Sequence, residues 1–470
     1  MKRRRILPES KLERLIGLEV YATKTPGIGG RIRQRIDDFT VEEVLVDGSK
    51  AKVNASKSQR TLHALHASSK ENRYFLFVLV KRNWDTFSAI KAVANQLGVS
   101  VGRVQIGGIK DAGAITAQYM TIQGASASDL EKIQVKDITV YPVGYVRNKL
   151  SSYYLLGNHF QITVRNIRHP KSTIERRIAG VLEELEAVGG IPNFFGHQRF
   201  GTVRPITHLV GKALVKGDFK KAAMIFLAKA SSHEHPQSRY ARNRLGETRD
   251  FERASQEFPQ QLRYERLMIR HLIGTPRDFA GAFKKLPVKL QELFPQAYQS
   301  FLFNKFLSRR IEKKLPLNSV EVGDYVVSVE QSGLPVPSMY RKVSNETLKK
   351  INVLVKAGKM RMAIPLVGFG QNLSSGIQGE MEDAILEEEG TDLQDFMIAG
   401  NPKMSMRGEL RTALTPLKDF SSNAISKDLK GTSDARARGV SMSFFLQRGS
   451  YATTLLREFM KLRNLIEAGF

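Results

Sequence analysis

The sequence predicts a chain of interleaved strands and helices, of the α/β or α+β class, arranged in two or three domains. Three observations predict it. The 470 residues exceed the roughly 250–300 at which a single core stops growing. Over about the first 195 residues, runs of two-residue apolar period alternate with runs of helical period. From about residue 205 to 310 the helical period takes over.

The elements follow in order. TPGIGG at 25–30 is a turn cluster whose glycines permit positive φ. RIRQRIDDFTVEEVLV at 31–46 alternates apolar and polar residues through Ile36, Phe39, Val41 and Val44, and reads as strand. RYFLFVLVK at 73–81 is a central strand by its aromatic and β-branched content. Asp85 is placed as an N-cap for a helix over 86–97, with Phe87, Ile90, Val93, Ala94 and Leu97 on one face and Gly98 as its stop. GRVQIGGIKD at 102–111 reads as strand and turn, and QYMTIQG at 118–124 and GNHFQITVRNI at 157–167 as strands. A helix over 173–188 ends at Gly189. Residues 315–370 return to short strands, 380–395 form a solvated acidic helix and turn, and the tail runs strand 440–446, turn 447–450, helix 451–469.

Charge narrows the partner. The chain carries 73 Lys and Arg against 46 Asp and Glu, a net +27. A field of that sign draws in polyanions, so nucleic acid is the expected partner. Eight arginines between Arg239 and Arg270 form either solvated helix faces or a phosphate-contacting surface. With no cysteine, disulfides, thiolate zinc sites, iron–sulfur ligation and cysteine nucleophiles are excluded. His63 with His66 and His233 with His235 lack a third ligand, so no metal is expected. The opening MKRRR leads into ILPESKLERL rather than an apolar segment, and YFLFVLV at 74–80 is far too short to span a bilayer. A cytoplasmic, non-membrane protein is the expectation. There is no GxxxxGK[ST], no GxGxxG between strand and helix, and no GxSxG. The chemistry is therefore left to a carboxylate, a lysine or an unseen cofactor.

Three segments carry candidate chemistry. GGIKDAGAITAQ at 107–118 sets Lys110 and Asp111 in a glycine-flanked turn, with Thr116 and Gln118 leading into a strand. A cation beside a carboxylate favours its ionised, nucleophilic form; the same pair in a glycine turn is also ordinary turn chemistry. NFFGHQRFG at 193–201 surrounds Gln198 and Arg199 with Phe194, Phe195 and Phe200. That is either a core turn or a surface that stacks bases and binds phosphate. DFTVEE at 38–43 alone is a strand start.

Together these segments resemble the TruD family of tRNA pseudouridine synthases. DFTVEE, GIKDAGAITAQ, GNHF and NFFGHQRFG occur in the family's order, followed by AYQSFLFNKFLSRRI at 297–311 and RGSYATTLLREFM at 448–460. The resemblance runs from about residue 12 to the C-terminus, and the extended start looks like the archaeal branch. The chain departs from the family in having Arg33 for a lysine, Ile36-Asp37 for Pro-Glu, and small Ala112 and Gly113 after Asp111.

The resemblance implies an α+β fold. A pseudouridine synthase catalytic domain, with a mixed, largely antiparallel sheet and flanking helices, spans 1–201 and 405–470; an α/β TRUD domain is inserted at 202–404. It implies Asp111 as the catalytic carboxylate, with Phe39 stacking on the target base, Phe160 packing the pocket, and Asn158 on the base edge or the Asp111 loop. Lys110 and Arg33 then stabilise charge or flanking phosphates, and Gln118 and Arg199 complete the substrate contacts. tRNA is the implied substrate, U13 of its D-arm the implied position, and no cofactor is called for. The alternatives are a non-catalytic tRNA-binding protein or RNA chaperone that retains the fold, a methyltransferase, and a ribosome-associated protein.

Overall fold

Residues 8, 10–54, 74–425 and 438–470 are described by the computed structural model of the chain. Helix α1 (Lys11–Leu15) precedes strands β1 (Phe39–Leu45) and β2 (Tyr74–Arg82); then come α2 (Thr86–Gln96), β3 (Val104–Ile106), β4 (Ile115–Gln123), α3 (Ala127–Glu131), β5 (Ile138–Val146), β6 (Leu155–Ile167) and α4 (Lys171–Val188). After the short β7 (Ile191–Pro192), seven helices follow in succession: α5 (Thr207–Val215), α6 (Phe219–Ala228), α7 (Pro236–Thr248), α8 (Phe251–Glu257), α9 (Arg263–Gly274), α10 (Phe279–Lys284) and α11 (Val288–Glu312). The chain continues through β8 (Tyr325–Val329), β9 (Pro335–Lys342), α12 (Leu348–Lys356), β10 (Met360–Leu366), α13 (Gly376–Glu389) and β11 (Glu409–Thr412). It closes with β12 (Leu414–Thr415), β13 (Lys418–Ile425), β14 (Arg438–Gln447) and α14 (Ala452–Met460).

The larger sheet has the order β13-β14-β6-β1-β4-β2-β5, with β3 beside β4. β1 and β4 run parallel; the other described pairings in it are antiparallel. The α+β class is thus the observed one. β2, expected as a central strand, lies one from the edge, between β4 and β5; its apolar run fits because both of its faces are buried. Phe75, Phe77 and Leu79 pack with Ile90 and Val93 of α2, while Leu76, Val78 and Val80 pack with Leu45 and Tyr119 on the other side. Asp85 caps α2 by accepting from the Ser88 backbone N–H at 2.9 Å. Gly189 ends α4 at φ +92. Gly157 is required by close approach, since a Cβ there would lie 2.1 Å from the Leu446 carbonyl oxygen on β14.

The smaller sheet has the order β11-β10-β8-β9. Its Val326, Met362 and Ile364 share one core with Tyr298, Phe303 and Phe306 of α11 and with Ile16, Phe194 and Phe200. β11 at 409–412 lies just beyond the expected return at 405, so the returning chain supplies a strand to the smaller sheet.

Several sequence expectations are corrected. Residues 31–38 are not strand: Ile36–Asp38 is a 3-10 turn, because the buried Asp38 accepts from Arg35 N at 2.9 Å and from Arg165 Nε at 2.7 Å. Phe87 is 55% exposed, and α2 buries Ala89 on the face where Phe87 was expected. Helix α12 interrupts the strands of 315–370. The acidic helix α13 is solvated on one face only; Met381, Glu382, Ile385 and Leu386 are buried. The final helix stops at Met460 rather than 469. Lys461 turns left-handed at φ +44, and its ammonium bonds Thr23 O at 3.0 Å and Thr23 Oγ1 at 2.7 Å. The residues beyond it fold back so that Leu465 and Phe470 enter the core.

Buried charge ties the two ends of the chain together. Arg457 of α14 pairs with Glu13 at 2.6 Å, donates to Val20 O at 2.6 Å, and lies 4.1 Å from the Tyr21 ring centre. Glu458 accepts from Thr23 N and Oγ1. Such a network offsets its desolvation cost only because its polar groups are well partnered.

Candidate active site

Asp111 sits in the loop between β3 and β4, at the floor of a cavity of about 300 Å³, the small end of the range for ligand sites. Phe39 and Val41 of β1 and Asn158 and Phe160 of β6 form one wall. The β-sheet register explains why they meet: Val41 lies opposite Phe160, and Phe160 opposite Phe444. Side chains two apart on a strand share a face. Gln198, Ser450, Tyr451 and Thr453 line the other side, joined by a Thr453 Oγ1 hydrogen bond to Gln198 Oε1 at 3.1 Å.

The loop is fixed from beneath. Thr86 Oγ1 accepts from Lys110 N at 3.0 Å and donates to Lys110 O at 3.2 Å. Gln118 Nε2 donates to Gly108 O at 3.1 Å. The Lys110 ammonium reaches away from Asp111 to Glu43 Oε1 at 2.8 Å, where both side chains are almost wholly buried. Glu43 Oε2 in turn accepts from Tyr119 N at 2.8 Å. The lysine expected to act beside Asp111 therefore anchors the loop, and two other cations neighbour the aspartate. Arg33 Nη2 lies 3.3 Å from Asp111 Oδ1. Lys81 Nζ donates to the Asp111 carbonyl at 2.7 Å. Burial lowers the Lys81 ammonium to about 8, against the pull of Asp111 and Asp85.

Asp111 keeps 40% of its side chain exposed toward the cavity. Arg33 holds a left-handed backbone, φ +54, uncommon outside glycine and asparagine. Its guanidinium covers the Phe39 ring at 4.3 Å. Phe39 meets Phe160 edge-on at 6.3 Å, and Phe160 stacks on Phe444 at 5.5 Å. Asn158 Oδ1 is buried without a hydrogen-bond partner, an acceptor left open at the cavity wall.

Six of the eight expected residues thus converge: Asp111, Phe39, Arg33, Lys110, Asn158 and Phe160. Gln118 and Arg199 sit behind the walls. Arg199 bonds Ser300 Oγ at 3.2 Å and Gln296 Oε1 at 3.1 Å on α11. Phe194, Phe195 and Phe200 are core residues, so NFFGHQRFG presents Gln198, not its aromatics, to the cavity. Sequence reasoning missed Lys81, Glu43, Tyr451 and Thr453; a lysine closing the apolar run YFLFVLV was the one visible signal among them.

A larger depression, about 620 Å³, lies on the opposite face of the sheet and is lined by Thr40, Glu42 and Gln161 among others. Three of its charged side chains are engaged in ion pairs, Arg82 with Asp37 at 2.6 Å and Glu42 with Lys50 at 2.8 Å. The arginine-rich segment divides between the two readings given to it. Arg242 is buried between Glu234 at 2.8 Å and Glu265 at 2.7 Å, whereas Arg249, Arg253, Arg263 and Arg270 are exposed. Among the described residues no cluster of three or more metal-ligating side chains occurs, and no helix is long and apolar enough to cross a membrane. His63 and His66 lie outside the described residues.

A family model described as tRNA pseudouridine synthase D (TruD) matches residues 15–459. A probable tRNA pseudouridine synthase D of Methanosarcina mazei is 38% identical, over 97% of this chain and 98% of its own. Its counterpart in Thermococcus onnurineus is 36% identical, over 94% and 97% respectively. The crystal structure of a putative tRNA pseudouridine synthase D from Methanosarcina mazei superposes with a TM-score of 0.81 at 38% identity, covering 97% of this chain and 99% of that one. The fold, a mixed sheet carrying an aspartate loop beside a second, smaller sheet, is that of a pseudouridine synthase with an inserted domain. The chain belongs to the tRNA pseudouridine synthase D family.

Proposed function

We propose that this chain isomerises a uridine of tRNA, U13 in the D-arm, to pseudouridine, with Asp111 as the catalytic carboxylate. The observation that carries the reading is the partly exposed Asp111 at the floor of a cavity walled by Phe39, Phe160 and Asn158. The reaction breaks the C1′–N1 bond, turns the uracil and forms C5–C1′; N1 ends with a hydrogen and C5 loses one. No electron or activated group is consumed. A carboxylate held in place suits it, because it can add, leave or accept a proton.

The substrate base leaves its stack to enter the cavity. It stacks on Phe39 once the Arg33 guanidinium slides off that ring, which frees Arg33 for a flanking phosphate. Asn158 Oδ1 accepts from the base edge, and Phe160 closes the apolar wall. Lys110 and Gln118 act by holding the loop, and Arg199 by holding the rim at Gln198. The net charge of +27 supplies the sequence-independent affinity for tRNA. We further propose that 1–201 and 405–470 form the catalytic unit and 202–404 the insertion, with β11 lent to the smaller sheet. A cytoplasmic location fits a tRNA substrate.

The test is carbodiimide mapping of tRNA transcripts incubated with the chain. A single new adduct at position 13, lost in a U13C transcript, is expected. An adduct at another uridine overturns the assignment of position, and its absence from a whole tRNA pool overturns the activity.

A further inference from the structure

Lys81 has no part in the chemistry above, yet it is the feature of β2 that packing alone does not explain. It closes an apolar strand, it is fully buried, and it points to the side on which Phe77 and Leu79 meet α2. Burying an ammonium is unfavourable unless its hydrogens find acceptors. Lys81 Nζ finds the Trp84 carbonyl at 2.6 Å and the Asp111 carbonyl at 2.7 Å. Thr86 holds Lys110 and Gln118 holds Gly108; Lys81 is bonded to Asp111 itself.

We propose that Lys81 is a positioning residue for the reaction: its ammonium ties the Asp111 backbone to the turn that starts α2 and so fixes where the Asp111 carboxylate enters the cavity. This rests on the reading of Asp111 as the catalytic carboxylate. Three charged groups bear on Lys81: Asp111 and Lys110 from the catalytic loop and Asp85 from the cap of α2. Its β-sheet neighbours, Thr116 on β4 and Ile138 on β5, carry no charge.

The clamp has a pH signature. Burial lowers the ammonium to about 8, so both bonds are charge-assisted below that pH; as pH rises through it the amine keeps two hydrogens for its two carbonyls but loses the charge that strengthens the clamp. An arginine at the same place stays charged throughout.

The experiment measures tritium release from tRNA labelled at uridine C5, between pH 6 and 10, for the wild-type chain, Lys81→Arg and Lys81→Met. The wild-type kcat is expected to fall on the alkaline side with a midpoint near 8. Lys81→Arg is expected to hold its rate past that point. Lys81→Met is expected to lose about 10²-fold in kcat, the scale of a misplaced catalytic group, with its KM for tRNA unchanged and no alkaline limb. If Lys81→Met does not fold, the comparison of wild type with Lys81→Arg still decides. The same alkaline limb in both, or a wild-type rate flat to pH 10, overturns the proposal while leaving Asp111 in place. A wild type that releases no tritium overturns the reading beneath it.

Discussion

Replacing Lys110 by methionine removes the charge that anchors the Asp111 loop and leaves Glu43 buried without its counter-ion. The pair is 2.8 Å long, with 5% and 0% of the two side chains exposed, so solvent screens it little. Removing one partner of a buried pair costs about 3–5 kcal/mol. Glu43 keeps the Tyr119 N–H on its second oxygen, which places Lys110→Met at the lower end, about 3 kcal/mol. Adding Glu43→Gln removes the stranded charge and retains an acceptor for Tyr119. The double variant is expected to recover most of the loss, to within about 1 kcal/mol of wild type. Trp84, the one tryptophan of the chain, reports on this region, because its carbonyl accepts from the same Lys81 that bonds Asp111. Urea unfolding followed by its fluorescence gives the three stabilities. A Lys110→Met variant within about 0.5 kcal/mol of wild type would place the pair in the range of exposed bridges and refute the reasoning. So would a double variant as unstable as the single one.

Two further outcomes follow from the packing. Gly157→Ala drives a methyl into the Leu446 carbonyl, 2.1 Å from the added carbon. It should destabilise by about 3 kcal/mol or more, read as a shift in the urea midpoint; a shift of a few tenths would mean that β6 and β14 can part at no cost. His197 is fully enclosed, with neither ring nitrogen partnered, and burial lowers it to about 3. An unfolded histidine titrates near 6.5, so between those values the unfolded chain binds the extra proton and acid destabilises the fold. The slope from this residue approaches about 1.4 kcal/mol per pH unit. His197→Leu should be flatter than wild type by that amount between pH 6 and 5, and parallel curves would contradict the burial.

Much of the larger sheet was legible because its signals are local. The period of YFLFVLV, the Asp85 cap and the glycine stop at 189 each act within a few residues. The residues at the cavity were legible only through motif order, since Asp111, Phe39 and Asn158 come together by sheet register rather than by spacing. What escaped depends on distant partners. Residues 31–38 alternate like a strand, but Asp38 is claimed by Arg165 on β6. The last helix reads as continuous to 469, but Lys461 is claimed by Thr23. NFFGHQRFG looks like an aromatic surface because the helix that buries it, α11, begins about ninety residues later. Lys81 looks like a strand end because its acceptor at Asp111 lies 30 residues later, in the loop before the neighbouring strand β4.

The most direct measurement is tritium release from tRNA labelled at uridine C5, comparing the wild-type chain with Asp111→Asn, with tRNA binding measured for both. Release by the wild type and none by Asp111→Asn, at equal affinity for tRNA, is the predicted result. Equal release by both would contradict Asp111 as the catalytic carboxylate, and no release by the wild type from a full tRNA pool would leave an RNA-binding protein that retains the fold.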